Sequence, residues 1–534
     1  MIDNGSTASF DAAPRRLRGT PLGMLALLTL LALAVRLGSI EVQSLWRDEV
    51  DAVRFGRDLA NEIGAALAGQ GPGGLIDQLR QTLTRPGFNG PAYFLALDAW
   101  ARLAGTGEFA VRFFSAFFGA LAIPLTYALA RRLFMFMRTP RIAPLAAWLT
   151  AISPYFAWYS QETKMYTEIT ALAIAAIYGL RRAVDADSAR RAGPWWALVV
   201  AATTLALYSH ILAALLIGVE VVLFLSWWPE ARRHLLGGAI SLALLSLPYL
   251  PLGLWQVPLV FTPAVTGFRF YRFDEIVHVM LGGFANGILP LDYALGTIGI
   301  QWNPELFRPE TSPANWGTWL LSLLSLLGAL MWKDARDRGP RLGLLAWAVL
   351  PTAVVALVSL NRPIFVDRYL IWIGPAVYVL AALGIDQAWQ FRKPIGIAAL
   401  VGVTLVSIAS LRAQAVTPVK SDFRSAARYV QEHYQGEAML FQIPYGQFTF
   451  DYYFEPAFRV VEGPFTNYPD RAPESFEAEI ANALRGQRSV WLVATEVEMW
   501  DSRRLLEDWL DRHGRVTDRA AFTRVSLARY EFDE

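Results

Sequence analysis

Cysteine is absent from the 534 residues, which excludes disulfides, thiolate metal sites and a cysteine nucleophile. Charge is scarce: Asp, Glu, Lys and Arg make up 18% of the chain, against 54% hydrophobic and 13% aromatic residues. Too few polar side chains remain to cover a soluble globule of this length, so the composition predicts a membrane protein. A net charge of +2, with the basic residues in short clusters between apolar runs, argues against a nucleic-acid-binding face. The phosphate-binding loop, the nucleophile elbow, the zinc-protease helix and the dinucleotide fingerprint are all missing, which argues against nucleotide hydrolysis. No internal repeat or low-complexity tract is present.

Apolar runs are plentiful. A bilayer core of about 30 Å needs about twenty apolar residues, and about eleven stretches qualify as spans: 21–40, 109–130, 142–158, 167–180, 195–209, 211–227, 235–255, 315–332, 342–360, 370–389 and 394–411. The first, preceded by a polar tail (1–20) with a basic end, reads as a retained signal anchor. Every second connection carries arginine or lysine, from Arg15, Arg16 and Arg18 through Arg131 and Arg132 to Arg392 and Lys393. The positive-inside rule then predicts a multi-pass protein of the plasma (inner) membrane with a cytoplasmic N-terminus and an extracytoplasmic C-terminal region. It also requires "FNGPAYFLALDAWARLAG", 88–105, to lie along the outer interface. The first outer loop is broken at "GQGPGG". Residues 21–415 form the membrane domain, and 416–534 read as a small α/β domain: "SDFRSAARYVQEHYQ" and "SRRLLEDWLDRHG" as helices, "AMLFQI" and "SVWLVA" as buried strands.

Polar residues at the outer boundary are the candidates for chemistry. In "SLWRDEVDAV", placed on a helix, Arg47, Asp51, Arg54 and Asp58 form a stripe of alternating sign, an ordinary surface ladder. Asp48 and Glu49 fall outside it and meet no cation three or four residues away. They are either solvated acids of an interfacial helix or groups awaiting a partner, a metal or a substrate. Lys164 either pairs with Glu168 or points at the compartment that Asp48 faces. His210 is either a turn residue of a tight hairpin or part of the site, and Arg368 in "FVDRYLIW" either snorkels to headgroups or clamps a phosphate. Glu108 and Arg112, spaced i, i+4 in the favourable order, are assigned to each other as a structural pair. Glu220, deep in the sixth span, requires a partner or a polar cavity.

These residues and their surroundings resemble a known family. "SLWRDE", "FNGPAYFLALDAWARLAGTGEFAVRFFSAFFGALAIPLTYALARRLF", "SPYFAWYSQETKMYT", "LYSHILAALL" and "RPIFVDRYLIWIGPAVYVLAAL" together resemble the bacterial protein O-mannosyltransferases of glycosyltransferase family 39 and the aminoarabinose transferases of lipid A, in the GT-C superfamily. The resemblance implies a polytopic helical enzyme with juxtamembrane helices in the first outer loop, moving a sugar from a polyprenyl-phosphate donor to an extracytoplasmic hydroxyl. It implies Asp48 as the general base with Glu49 assisting, Lys164 and Arg368 on the donor phosphate, and Tyr166, His210 and Tyr369 lining the site. The family's basic residue before Met-Tyr is usually arginine, where this chain has Lys164, and "NGP" replaces the usual pair before the juxtamembrane helix, which argues against Asn89 as a ligand. Some superfamily members use a divalent metal; the sequence shows no clean ligand set. A transporter or flippase of lipid-linked sugars is the competing reading, since it too is polytopic with charged groups.

Overall fold

The computed structural model describes residues 22–69, 74, 77, 90–137, 140–261, 269–289, 302, 303, 308, 309, 316–332, 335–463, 472–497 and 501–532. The N-terminal tail, Asn89 and most of the glycine-rich break lie outside them. The chain begins with α1 (Leu22–Gly38), α2 (Arg47–Leu67), α3 (Pro91–Ala104) and α4 (Glu108–Leu133), and continues with α5 (Ile142–Ile152), α6 (Pro154–Ser160), α7 (Tyr166–Val184) and α8 (Ala189–Ser209). Then follow α9 (Leu215–Ser226), α10 (Leu235–Phe261), α11 (Phe273–Asn286), α12 (Trp316–Leu330), α13 (Ala335–Ser359), α14 (Gly374–Phe391) and α15 (Lys393–Val416).

Helix occupies each apolar run expected to span. Among the described residues four helices are long and apolar enough to cross a membrane: 108–133, 337–359, 367–391 and 393–416; a bent pair, 211–226 with 228–247, makes a fifth. At 14 residues, α3 rises about 21 Å, short of a bilayer core. It packs beside α2, with Phe55 and Phe94 edge to face at 6.1 Å.

The run 142–158 is two helices, not one. Pro154 has no N–H to continue α5, and Ser153 Oγ caps α6 by accepting from Phe156 N at 3.1 Å. The carbonyls stranded at the break are met from α1: the buried Arg36 guanidinium donates to Ala151 O at 3.1 Å and Thr150 O at 3.4 Å. The tenth run likewise opens as a 3₁₀ turn, Asp367–Ile373, before α14. This helix is the most enclosed of the four, with 94% of its apolar window buried. It crosses α12 through two glycines: a Cβ on Gly384 would stand 2.0 Å from Leu324 O, and one on Gly328 1.8 Å from Leu380 O. Small residues let the two backbones touch.

Beyond α15, α16 (Phe423–His433) opens at an Asp422 cap that accepts from Ser425 N at 3.0 Å, and α19 (Leu505–His513) ends at Gly514, with α17 (Gly446–Asp451) and α18 (Pro473–Ala483) between them. The strands are β1 (Ala438–Phe441), β2 (Arg459–Glu462), β3 (Ser489–Thr495), β4 (Arg515–Phe522) and β5 (Val525–Glu531). Their order in the sheet is β2-β1-β3-β5-β4, with β1 parallel to both neighbours and β5 antiparallel to β3 and β4. The two strands expected from apolar runs, β1 and β3, are central and buried on both faces; β4 alternates and lies at the edge.

This unit is fastened to the segment between α1 and α2. The Gln43 amide donates to Thr417 O at 2.7 Å and accepts from Val419 N at 2.9 Å and Lys420 N at 3.1 Å. The charged stripe on α2 is therefore not an open solvated face. Arg47 and Arg54 do pair with Asp51, at 3.5 and 3.4 Å, but Arg47 also lies 3.6 Å over the Tyr445 ring and Arg54 3.6 Å over Phe448.

Candidate active site

The N-terminal turn of α2 holds Asp48 and Glu49 side by side, and the helix points them into different surroundings. Glu49 is fully buried. Arg112 Nε donates to its Oε1 at 2.8 Å and Nη2 to its Oε2 at 2.7 Å; Lys420 Nζ reaches Oε2 at 3.0 Å and Thr163 N donates to Oε1 at 2.9 Å. The remaining Arg112 donors go to Ile40 O, Gln43 O and Ser44 O. All five guanidinium N–H groups are thus engaged, and none is left for Glu108. The expected Glu108–Arg112 pair is corrected accordingly: Glu108 lies 3.2 Å from Arg424 and accepts from the Tyr453 hydroxyl. Burial alone would raise the Glu49 carboxyl, but Arg112, Lys420 and the hydrogen bonds outweigh it and hold it down to about 2. A carboxylate with its lone pairs occupied in this way has little left to offer a proton from a substrate.

Asp48 is a third exposed and, among the described residues, has one cation within 4 Å, Arg368 Nη2 at 3.9 Å. Arg368 stands on the 3₁₀ turn that opens the tenth helix, where Asp367 Oδ2 accepts from the Tyr155 hydroxyl at 3.0 Å. Its Nε donates to the Tyr166 hydroxyl at 3.0 Å, and its plane lies 5.7 Å from the Trp46 ring and 5.6 Å from the Tyr369 ring. The His210 ring meets Tyr369 at 4.7 Å. Asp48, Arg368, Tyr166, Tyr369 and His210 therefore form one connected group drawn from α2, α7, the α8–α9 turn and the start of the tenth run.

His210 ends α8 and its Nδ1 accepts from Leu212 N at 3.2 Å, which puts the proton of a neutral ring on Nε2. That atom is buried and has no partner among the described residues. Burial, then the charges of Lys164 and Arg368, push the imidazole down to about 3, so it stays neutral at ordinary pH. Lys164 lies in the bend between α6 and α7, its Nζ 5.8 Å from the Phe94 ring. Among the described residues no carboxylate lies within 4 Å of it, Glu168 included. Glu220 receives the Thr203 hydroxyl from α8 and borders an apolar cavity of about 260 Å³, apart from this group.

Two participants were not among the expected site residues. Lys420, from the segment leaving α15, joins Glu49 to Glu162, 3.0 Å from each. Glu162 also accepts from Trp158 Nε1 at 3.2 Å, and its burial raises its carboxyl above the ordinary value. A contact spanning 371 residues leaves no periodic trace in the sequence. Among the described residues no cluster of three His, Asp or Glu side chains is placed to hold a metal ion.

Comparison with known proteins follows the same line. The family model described as dolichyl-phosphate-mannose-protein mannosyltransferase matches residues 86–255. No curated protein sequence matches the chain. The fold is similar to that of ArnT from Cupriavidus metallidurans bound to undecaprenyl phosphate, with a TM-score of 0.55 at 15% identity over 96% of this chain and 98% of that one. It is also similar to the archaeal oligosaccharyltransferase AglB from Archaeoglobus fulgidus, in complex with an inhibitory peptide and a dolichol-phosphate, with a TM-score of 0.52 at 12% identity over 96% of this chain and 74% of that one. The chain has the fold of the GT-C glycosyltransferases and, over residues 86–255, resembles the dolichyl-phosphate-mannose-protein mannosyltransferases.

Proposed function

We propose that the protein is an inverting glycosyltransferase that moves a sugar from a polyprenyl-phosphate carrier to an extracytoplasmic hydroxyl. The carrying observation is the juxtaposition of Asp48, partly open and unencumbered, with the Arg368 guanidinium at 3.9 Å. A base beside an anion clamp is what a single displacement from a lipid phosphate needs. Asp48 takes the acceptor proton as the hydroxyl attacks the anomeric carbon, and the carbon–oxygen bond to phosphate breaks with the charge moving onto the departing phosphate. Arg368 and Lys164 stabilise that charge. The neutral His210 Nε2–H and the Tyr166 and Tyr369 side chains complete the donor side, and Glu49 sets the position of the Asp48 turn.

In this reading about eleven spans carry the chain across the plasma membrane, the N-terminus is cytoplasmic, and residues 416–534 face outside beside the site. The similarity of the fold to a protein bound to undecaprenyl phosphate supports the donor class. Reconstitution in vesicles with radiolabelled polyprenyl-phosphate sugar and envelope extract tests it: label is expected on a macromolecular acceptor. Label that only changes leaflet, still on its lipid, would make the protein a flippase and overturn the proposal.

A further inference from the structure

Lys420 sits where the C-terminal unit meets the turn that bears Asp48. Its backbone N–H, like that of Val419, donates to Gln43 Oε1, and its Nζ stands 3.0 Å from both Glu49 Oε2 and Glu162 Oε1. Only 8% of the side chain is exposed. Among the described residues it is the one cation within 4 Å of Glu162, whereas Glu49 also has Arg112. Glu162 is almost fully buried, and its second oxygen, Oε2, has no hydrogen-bond partner among the described residues. Glu162, Lys420 and Arg368 border one cleft, with room for about 30 Å³, one or two waters. The charge of Arg368 reaches Glu162 across it, while another cation of its wall, Arg524, lies 3.6 Å from Glu496. The Trp46 ring is 5.6 Å from Lys420 Nζ and 5.7 Å from the Arg368 guanidinium. Charge therefore alternates through space from Arg112 to Glu49, Lys420, Glu162, Arg368 and Asp48.

Resting on the glycosyltransferase reading, we propose that Lys420 is a positioning residue of the donor site: its ammonium keeps the Glu162 carboxylate occupied and so leaves the Arg368 guanidinium beside Asp48 for the donor phosphate. A buried carboxylate stripped of its cation is left uncompensated and draws in another. Across a gap of one or two waters that cation is Arg368. Arginine has the length and the rotamer freedom to cross such a gap. Turned toward Glu162, Arg368 no longer meets the phosphate, so loss of Lys420 weakens donor binding indirectly. Because Lys420 belongs to the segment that opens the C-terminal unit, the seating of that unit against α2 becomes a condition of donor binding.

The test is a second-site rescue. The full-length protein in nanodiscs is titrated with undecaprenyl phosphate as wild type, Lys420→Met, Lys420→Arg, Glu162→Gln and the double variant Lys420→Met with Glu162→Gln. Binding is compared below the lowest thermal melt of the set, so that loss of fold does not enter. Lys420→Met is expected to bind about tenfold more weakly than wild type, and Lys420→Arg, which keeps a cation on Glu162, within about threefold of it. The double variant removes the carboxylate that draws Arg368 away, so its affinity should return to within about threefold of wild type. Wild-type affinity in Lys420→Met, or a double variant as weak as Lys420→Met, would overturn the inference while leaving the transferase reading standing. If Lys420→Met does not fold, Glu162→Gln decides: it should bind at least as tightly as wild type, and a loss of more than about threefold would overturn the inference. A wild type that does not bind undecaprenyl phosphate would overturn the glycosyltransferase reading and the inference with it.

Discussion

Replacing Glu49 by Gln separates the roles of the two neighbouring acids. Glu49 is fully buried and charge-paired with Arg112 and Lys420, so the amide leaves two buried cations against a neutral group. Breaking a buried pair costs about 3–5 kcal/mol. The pKa gives a comparable figure: a carboxyl held at about 2 instead of its ordinary 4.5 is stabilised by about 3 kcal/mol in its charged form. The sign follows from that depression. Stability from this group is fully present above pH 4.5 and is lost as pH falls toward 2. Thermal unfolding of the purified protein in detergent should therefore show Glu49→Gln melting well below wild type at pH 7, with the gap narrowing between pH 4.5 and the lowest pH at which the protein stays folded. Asp48→Asn, a third exposed with one cation at 3.9 Å, should melt within a degree or two of wild type. A Glu49→Gln protein as stable as wild type at pH 7, or an Asp48→Asn protein as damaged as Glu49→Gln, would refute the division between a positioning acid and a working one.

Two further outcomes follow from the geometry. Arg368→Lys keeps the charge but loses the planar fork that can hold a phosphate and the Tyr166 hydroxyl together, so the donor KM should rise about tenfold with kcat changed less; steady-state kinetics at saturating acceptor reads the split. Gly384→Ala places a methyl 2.0 Å from Leu324 O and should lower the melting temperature by several degrees, an overpacking cost of about 1–3 kcal/mol; an unchanged melt would mean that α12 and α14 separate without penalty.

The sequence made the helices legible because apolar length is a local signal, and it made Asp48 conspicuous because nothing within a helical turn could neutralise it. The same reasoning applied equally to Glu49, whose partners lie 63 and 371 residues away; local spacing cannot distinguish an unpaired acid from one paired at long range. Arg112 was misassigned for the related reason that Glu108 sits at the favourable i, i+4 position, while the tertiary pair with two strong bonds prevails over the helical one. Pro154 carried a readable break inside the third run, since proline stops a ladder wherever it falls. Strands β2, β4 and β5 were not anticipated. β2 and β4 are edge strands with partly exposed faces, and β5 carries Arg529 amid its apolar residues, so none forms the continuous apolar run that marked β1 and β3.

The central claim is that Asp48 accepts the acceptor's proton while the cations beside it hold the donor. Single-turnover transfer from a radiolabelled polyprenyl-phosphate sugar, measured on Asp48→Asn alongside donor binding, addresses it directly. The account predicts transfer slowed by about 10²- to 10⁴-fold with donor affinity preserved within a few-fold. Transfer at the wild-type rate by a folded Asp48→Asn protein would contradict it.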